Sequence, residues 1–199
     1  LLFVGGFAHP PNADAVLWFA KEVFPKIREQ IKVNFYIVGS KVTDEIKALE
    51  QPGNGIIVKG FVSEEELADL YRNCRIVVVP LRYGAGVKGK VVEAIYNGAP
   101  IVTTSVGSEG IPEVEKVLLV EDQPDEFAET VVELYNDEKR LEDLAEKTQV
   151  YIREHFSIDA AWDVIKEDFE QQYGVRIDTL VLDVSKREDV DAKVKPAIE

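Results

Sequence analysis

Short apolar segments alternate with longer segments of helical period from Leu2 to Val120. The apolar segments are rich in β-branched residues, and each is continuously apolar rather than alternating with polar positions. Such segments are typical of strands that are buried on both faces of a sheet. Six strands are predicted: Leu2–Val4, Val33–Val38, Ile56–Val58, Ile76–Val79, Ile101–Thr103 and Val117–Val120.

The segments between the predicted strands carry helical signals. After the first strand, apolar side chains recur at steps close to 3.6 residues, at Val16, Phe19, Val23, Phe24, Ile27 and Ile31. Asn12 is predicted to cap this helix at its N-terminus. Ser63 is predicted to cap the helix that starts at Glu64, and Glu66, three residues after the cap, completes the pattern of a capping box.

The alternation of strands and helices predicts the α/β class, with a doubly wound, mostly parallel sheet that has helices on both faces. In a Rossmann-like sheet of this kind, ligands bind beyond the carboxyl ends of the strands, near the point where the strand order reverses. Five segments follow predicted strands at that edge: Gly5–Phe7, Gly39–Ser40, Gly60–Val62, Gly84–Ala94 and Ser105–Gly110.

The segment GAGVKGKVVEA, residues 84–94, combines glycines and lysines at a predicted helix entrance. Glycine lets a ligand approach the backbone, and the first helical turn offers unpaired N–H groups, so the segment favours a phosphate site. Helical spacing places Gly86, Gly89, Lys90 and Glu93 on one face. Two interpretations stay open: Lys90 and Glu93 form an exposed ion pair, or the face binds a phosphate near the helix start and hydroxyl groups one turn further on.

The charge and the cysteine content narrow the class of protein. A formal net charge of -14 argues against nucleic acid or anionic lipid as the main partner, since both require a basic surface. With one Cys and two His, the chain has no cluster with zinc spacing, and neither a metal nor a cofactor is predicted. The absence of an apolar run of roughly 20 residues and of a secretory leader predicts no transmembrane segment and a cytoplasmic location.

Three segments together resemble a known family. They are VGGFAHPPNADAVLWFAKEVFPKI near the start, VKGFVSEEELADLYRNCRIVVVP, and PLRYGAGVKGKVVEAIYNGAPIVTTSVGSEG. In this order they are similar to the C-terminal, donor-binding half of a retaining GT-B glycosyltransferase of the group 1 family. The resemblance covers roughly residues 1 to 170 and implies a Rossmann-like domain that binds a nucleoside diphosphate sugar, with UDP or GDP as the nucleotide.

The resemblance also implies roles for individual residues. Glu93 matches the carboxylate that holds the ribose hydroxyls, and the turn at Phe61 and Val62 matches the one beside the base. The groups that face the diphosphate match Gly86, Val87 and Lys88, and the candidate site is completed by Gly6 in the loop after the first strand and by Lys90.

Two positions depart from the pattern of the family. Ala85 stands where many members have a second glutamate that contacts the donor sugar, and after the first strand only His9 stands where many have an Arg and a Lys. Lys88 and Lys90 are expected to supply the missing positive charge. No catalytic acid or base is assigned.

The start of the chain supports a separate prediction. The chain opens inside a strand, at LLFVGG, and contains no Met, so we expect a domain cut from a larger protein, with the acceptor site in an N-terminal domain outside this chain. The chain alone is expected to transfer no sugar.

The last residues suggest a boundary between residues 1–173, the nucleotide-sugar-binding domain, and residues 174–199, an appended strand and helix of different origin. Thr179–Leu182 and Asp183 resemble a short-chain dehydrogenase segment in which the aspartate approaches the adenine of NAD(P). Two alternatives to the glycosyltransferase therefore stay open: a non-catalytic or chimeric α/β binding module, and a fragment of an NAD-linked oxidoreductase.

Overall fold

Six parallel strands form one open sheet in the computed structural model, which describes residues 1–174 with some side chains of the last helix left aside. The order across the sheet is β3-β2-β1-β4-β5-β6. The strands are β1 Leu2–Val4, β2 Phe35–Val38, β3 Ile56–Gly60, β4 Val77–Val79, β5 Ile101–Thr103 and β6 Leu118–Val120. The strand order reverses between β1 and β4, and the predicted doubly wound α/β class is confirmed.

The helices connect the strands in the predicted alternation. They are α1 Pro10–Trp18, α2 Phe24–Gln30, α3 Asp44–Lys47, α4 Glu64–Asn73, α5 Gly89–Tyr96, α6 Ser105–Ser108, α7 Pro124–Asn136, α8 Glu138–His155 and α9 Ile158–Tyr173. A π-helical turn, Phe19–Val23, joins α1 to α2, and a 3-10 turn, Val114–Lys116, precedes β6. Residues 1–156 form one compact unit, whereas α9 belongs to a second unit that begins at Ser157.

All six predicted strands are present, and three of them start later than predicted. Val33, Ile76 and Val117 are buried, yet each lies before the first paired residue of its strand. A buried position is apolar whether or not it belongs to a strand, whereas a strand begins only where the neighbouring strand offers backbone hydrogen bonds. Phe35, for example, is the first residue of β2 and pairs with Ile56 of β3.

The predicted N-terminal cap at Asn12 is wrong. The helix α1 begins two residues earlier, at Pro10, and Asn12 is a buried residue of its first turn. Pro10 and Pro11 have no N–H to satisfy, so the helix can start there without a side-chain cap. Asn12 instead donates from Nδ2 to the Gly6 carbonyl oxygen at 2.8 Å and so holds the loop after β1.

The predicted cap at Ser63 is confirmed, and the second half of the capping box is not formed. Ser63 Oγ accepts a hydrogen bond from the Glu66 N–H at 3.2 Å. The Glu66 carboxylate, however, does not reach back to the cap, because it accepts from Lys59 Nζ at 2.9 Å across the end of β3.

Aromatic side chains form the centre of the core beside β2. The Phe19 ring lies 4.7 Å from the Phe35 ring, 5.7 Å from the Phe127 ring and 6.2 Å from the Phe24 ring, measured between centroids. All four side chains are buried. Phe19 therefore joins the π-helical turn both to the first residue of β2 and to α7.

Candidate functional site

A cleft of about 300 Å³ lies at the carboxyl edge of the sheet, beside the point where the strand order reverses. Its walls come from the loops after β1, β2 and β3 and from the helices α4 and α5. It is lined by Val4, Gly5, Gly6, Val38, Gly39, Ser40, Phe61, Val62, Leu67, Lys90 and Glu93. Five of the eight residues predicted for the site, Gly6, Phe61, Val62, Lys90 and Glu93, therefore share one cleft although they come from three separate segments.

A second cleft of about 250 Å³ adjoins the first. It is lined by His9, Pro11, Asn12, Leu81, Tyr83, Gly84, Ala85, Val87, Lys88, Gly89 and Lys90. Lys90 lines both clefts, so it stands at their junction. We call these the Glu93 cleft and the Lys88 cleft.

The helix α5 begins after Gly86, so it does not include the first residue of the predicted face. Lys88 occupies the N-cap position with extended backbone angles, and the first helical residue is Gly89. Gly86, with φ at +74°, lies in the preceding turn, lines neither cleft and does not share a helical face with Glu93. Lys90 and Glu93 do lie one turn apart on α5.

Backbone, rather than side chains, forms the floor of the Glu93 cleft. The Gly5 N–H donates to the Val38 carbonyl oxygen, and the Phe7 N–H donates to that of Ser40, both at 2.9 Å. A Cβ atom placed on Gly39 would lie 1.8 Å from the Gly5 carbonyl oxygen. The loops after β1 and β2 therefore approach so closely that only glycine fits at position 39.

The Lys90 ammonium contacts the first turn of α1 and the Phe3 ring. Its Nζ donates to Asn12 Oδ1 and lies 5.1 Å from the centroid of the Phe3 ring. Burial, and then the charge of Lys88, lower the pKa of Lys90 to about 8. Lys90 does not pair with Glu93, so the interpretation of these two residues as an exposed ion pair is wrong.

Glu93 lines the cleft. Within residues 1–174, no ion pair or side-chain hydrogen bond of Glu93 is formed. Partial burial raises its pKa above the ordinary value for a glutamate. A carboxylate has lone pairs for several donors, so Glu93 can accept hydrogen bonds from two neighbouring hydroxyl groups of a ligand.

Tyr71, on α4, is a residue near Glu93 that the sequence did not single out. Its hydroxyl oxygen is buried without a hydrogen-bond partner, a condition shared by no other buried side-chain nitrogen or oxygen that the structure describes. Burial raises the pKa of this phenol, and the negative charge of Glu93 raises it further. No sequence signal marks Tyr71, because an aromatic residue on an amphipathic helix has the same pattern as an ordinary core residue.

Replacing Tyr71 with phenylalanine is expected to leave the free energy of unfolding unchanged or to raise it by up to about 1 kcal/mol. A buried hydroxyl without a partner costs free energy, and its removal leaves a side chain of nearly the same shape. Urea denaturation of the variant and of the wild type measures the difference. A loss of more than about 1 kcal/mol would show that the hydroxyl has a stabilising partner.

Lys88, which lines the Lys88 cleft, forms an ion pair with Glu109. Lys88 Nζ lies 3.1 Å from Glu109 Oε2 and also donates to the Gly86 carbonyl oxygen. The Lys88 side chain is only 10% exposed, while that of Glu109 is 50% exposed. Glu109 follows α6, and the sequence analysis did not identify it as a site residue.

Large apolar side chains flank the two clefts. Phe61 is 82% exposed beside the Glu93 cleft, and Tyr83 and Val87 are exposed beside the Lys88 cleft. Exposed apolar groups at the rim of a polar cleft are typical of a surface that a ligand or another domain covers.

Comparison with known proteins identifies the family to which the chain belongs. A model of the family described as glycosyl transferases group 1 matches residues 1–137. The chain belongs to the glycosyl transferases group 1 family. An uncharacterized 44.6 kDa protein from the cps region of Klebsiella pneumoniae is 34% identical over 116 residues, which are 55% of this chain and 30% of the relative.

Solved structures show that the domain has the Rossmann-like fold of GT-B enzymes of the group 1 family. TarM from S. aureus, solved as a mutant in complex with fondaparinux, α-GlcNAc-glycerol and UDP, superposes with a TM-score of 0.66 at 18% identity. That match covers 81% of this chain and 34% of TarM.

The C-terminal domain of a group 1 family protein, LpcC, from Francisella tularensis has a TM-score of 0.63 at 18% identity. The match covers 79% of this chain and 86% of that domain. This chain therefore spans about a third of the Klebsiella protein and of TarM but most of an isolated C-terminal domain. Among the described residues, no helix has the length and apolar content needed to cross a bilayer.

Proposed function

We propose that this domain binds the nucleoside diphosphate sugar donor of a glycosyltransferase, for transfer to an acceptor held by a domain outside this chain. The observation that carries the proposal is the placement of Glu93 and Lys90 one helical turn apart in the same cleft. A carboxylate that accepts hydrogen bonds and an ammonium at the cleft junction match the hydroxyls and the phosphates of a nucleotide.

The two clefts divide the donor between them in this proposal. The base lies against Phe61 and Val62, and the ribose hydroxyls donate to the Glu93 carboxylate. The diphosphate lies near Lys88, Lys90 and the first N–H groups of α5, where the helix dipole favours negative charge. The sugar extends into the Lys88 cleft beside Ala85.

The positive groups also explain how the domain assists bond cleavage. In glycosyl transfer the bond between the anomeric carbon and the diphosphate oxygen breaks, and the nucleoside diphosphate leaves with the bonding electron pair. The anomeric carbon forms its new bond to the acceptor, which gives up a proton. Ammonium groups already placed at that position stabilise the developing charge, which is the largest catalytic contribution of many enzymes. Since the acceptor is held elsewhere, the domain alone transfers no sugar in this proposal.

UDP is the first nucleotide to test. The TarM structure contains UDP, and the sequence left UDP and GDP as alternatives. The NAD-linked alternative rests on Thr179–Leu182 and Asp183, which lie outside the described residues, and neither of the two clefts provides an argument for it. The boundary after residue 173 stays a prediction.

Two single variants, Glu93→Gln and Lys88→Gln, are expected to weaken the binding of different parts of the ligand. Glu93→Gln weakens UDP and uridine alike, by about tenfold or more, because a hydrogen bond to a charged group is worth roughly 1.5–3 kcal/mol. Lys88→Gln weakens UDP by a similar factor and leaves uridine unchanged, since uridine has no phosphate. Isothermal calorimetry of each variant with both ligands measures the two effects.

The exposed Glu129 on α7, which lines neither cleft, supplies the matched control. Glu129→Gln removes the same charge and is expected to leave both affinities unchanged. Titration with GDP in place of UDP tests the base. The proposed function is overturned if wild-type protein and all three variants bind UDP equally.

A further inference from the structure

The Lys88 ammonium is engaged by a protein carboxylate in the place where the proposed function needs a phosphate. Lys88 Nζ is 3.1 Å from Glu109 Oε2, and its side chain is nine-tenths buried. Lys90, by contrast, contacts the neutral side chain of Asn12. Of the two lysines, Lys88 alone is already paired with a negative charge.

The segment that carries Glu109 is packed directly on the turn that carries Lys88. A Cβ atom on Gly110 would lie 3.0 Å from Val87 Cγ2 and 3.5 Å from the Val87 nitrogen. The start of the same segment is fixed by Thr104 Oγ1, which accepts from the Gly107 N–H at 3.2 Å. Glu109 is therefore held in reach of Lys88 by the fold and does not meet it by chance.

We propose that Glu109 is an internal competitor for the diphosphate: its carboxylate occupies the Lys88 ammonium until the ligand's phosphates displace it. The proposal rests on the proposed function, since it concerns the same Lys88. The Glu109 side chain is half exposed, so it can turn to solvent when a phosphate takes its place.

Competition of this kind sets which ligands the site retains. A diphosphate carries more negative charge than one carboxylate, so it displaces Glu109, and a neutral ligand has no effect on the pair. Glu109 therefore lowers the affinity for every anion at Lys88 and favours those with high charge. It is a specificity-determining residue that does not need to touch the ligand.

Replacing Glu109 with glutamine is expected to tighten the binding of UDP by roughly fivefold or more, the lower end of typical coupling between sites. Inorganic pyrophosphate gains by a similar factor, and uridine does not change. Calorimetric titration with UDP, pyrophosphate and uridine measures the three affinities. Glu115→Gln, which removes the same charge from the 3-10 turn six residues on, is the matched control and leaves all three unchanged.

The double variant Glu109→Gln with Lys88→Gln tests the route of the effect. Competition at Lys88 requires the gain to disappear when Lys88 is absent, as in a double-mutant cycle. The competitor proposal is wrong if Glu109→Gln weakens UDP binding or leaves it unchanged while Lys88→Gln still weakens UDP binding. Glu109 would then orient Lys88 or have no effect on the ligand.

Failure of the proposed function has a different signature. If UDP binding is insensitive to Glu93→Gln while Glu109→Gln still tightens pyrophosphate, the nucleotide assignment fails and the anion competition stands. If neither UDP nor pyrophosphate binds any variant, both proposals are overturned.

Discussion

Replacing Gly39 with alanine is expected to lower the free energy of unfolding by about 3 kcal/mol or more, which is at the upper end of single-residue effects. The added Cβ would lie 1.8 Å from the Gly5 carbonyl oxygen, and this atom belongs to backbone, which cannot move aside as a flexible side chain does. The loops after β1 and β2 must separate to relieve the collision. Because these loops form the floor of the Glu93 cleft, UDP affinity is expected to fall as well.

Gly89 provides the matched control for this change. It is the first residue of α5, and an added Cβ there would meet nothing within 4 Å. Gly89→Ala is expected to stabilise the protein by about 0.4–1 kcal/mol, because alanine loses less conformational entropy on folding. Denaturant unfolding of both variants gives the comparison, and equal stability of Gly39→Ala and wild type would contradict the close approach of the two loops.

The affinity for UDP is expected to fall as the pH rises above 8. The pKa of Lys90 in the free protein is lowered to about 8, against an ordinary value of 10.5. A bound phosphate stabilises the ammonium and raises that pKa again, so the ligand binds the protonated form more tightly. The affinity is therefore highest below pH 8. It decreases at pH values at which Lys90 is deprotonated in the free protein but still protonated in the complex.

The affinity is expected to fall roughly tenfold for each pH unit between the pKa of Lys90 in the free protein and its pKa in the complex. Each such unit changes the free energy of protonating Lys90 by about 1.4 kcal/mol. Calorimetry with UDP from pH 7 to pH 9.5 measures the decrease. Lys90→Gln is expected to bind UDP weakly at pH 7 and to show a much flatter profile. Uridine binding to the wild type measures the separate effect of losing the uracil N–H proton at the top of this range. A wild-type profile for UDP that is flat over this range would show that Lys90 does not meet the phosphates.

The residues that the sequence placed well are those whose position follows from local spacing. Each strand is a short, continuously apolar segment because both of its faces are covered, and this pattern is visible without knowledge of the neighbours. Lys90 and Glu93 lie one turn apart on α5, so helical geometry alone predicted their shared face. Gly86 was wrongly included in that face, because the helix starts only at Gly89 and local spacing does not mark the first turn sharply.

Other errors and omissions concern residues with partners that are distant in the chain. Asn12 resembled a helix cap in the sequence, but its side chain donates to the Gly6 carbonyl oxygen and accepts from Lys90, 78 residues further on. Glu109 was not recognised because its role depends on Lys88, 21 residues before it. Tyr71 has the pattern of a core residue, and only packing shows that its hydroxyl is buried without a partner.

The sequence by itself therefore determined the α/β class, the six strands and the helix that carries Lys90 and Glu93, since these depend on the periodicity of neighbouring residues. The tertiary structure decided that Gly6, Phe61 and Glu93 share one cleft, that Gly39 must be glycine, and that Lys88 is paired with Glu109. The physical reason is that charge and steric contacts act over a few ångströms in space. Parallel strands bring their carboxyl ends to one edge whatever their separation along the chain, and no local pattern records which loops meet there.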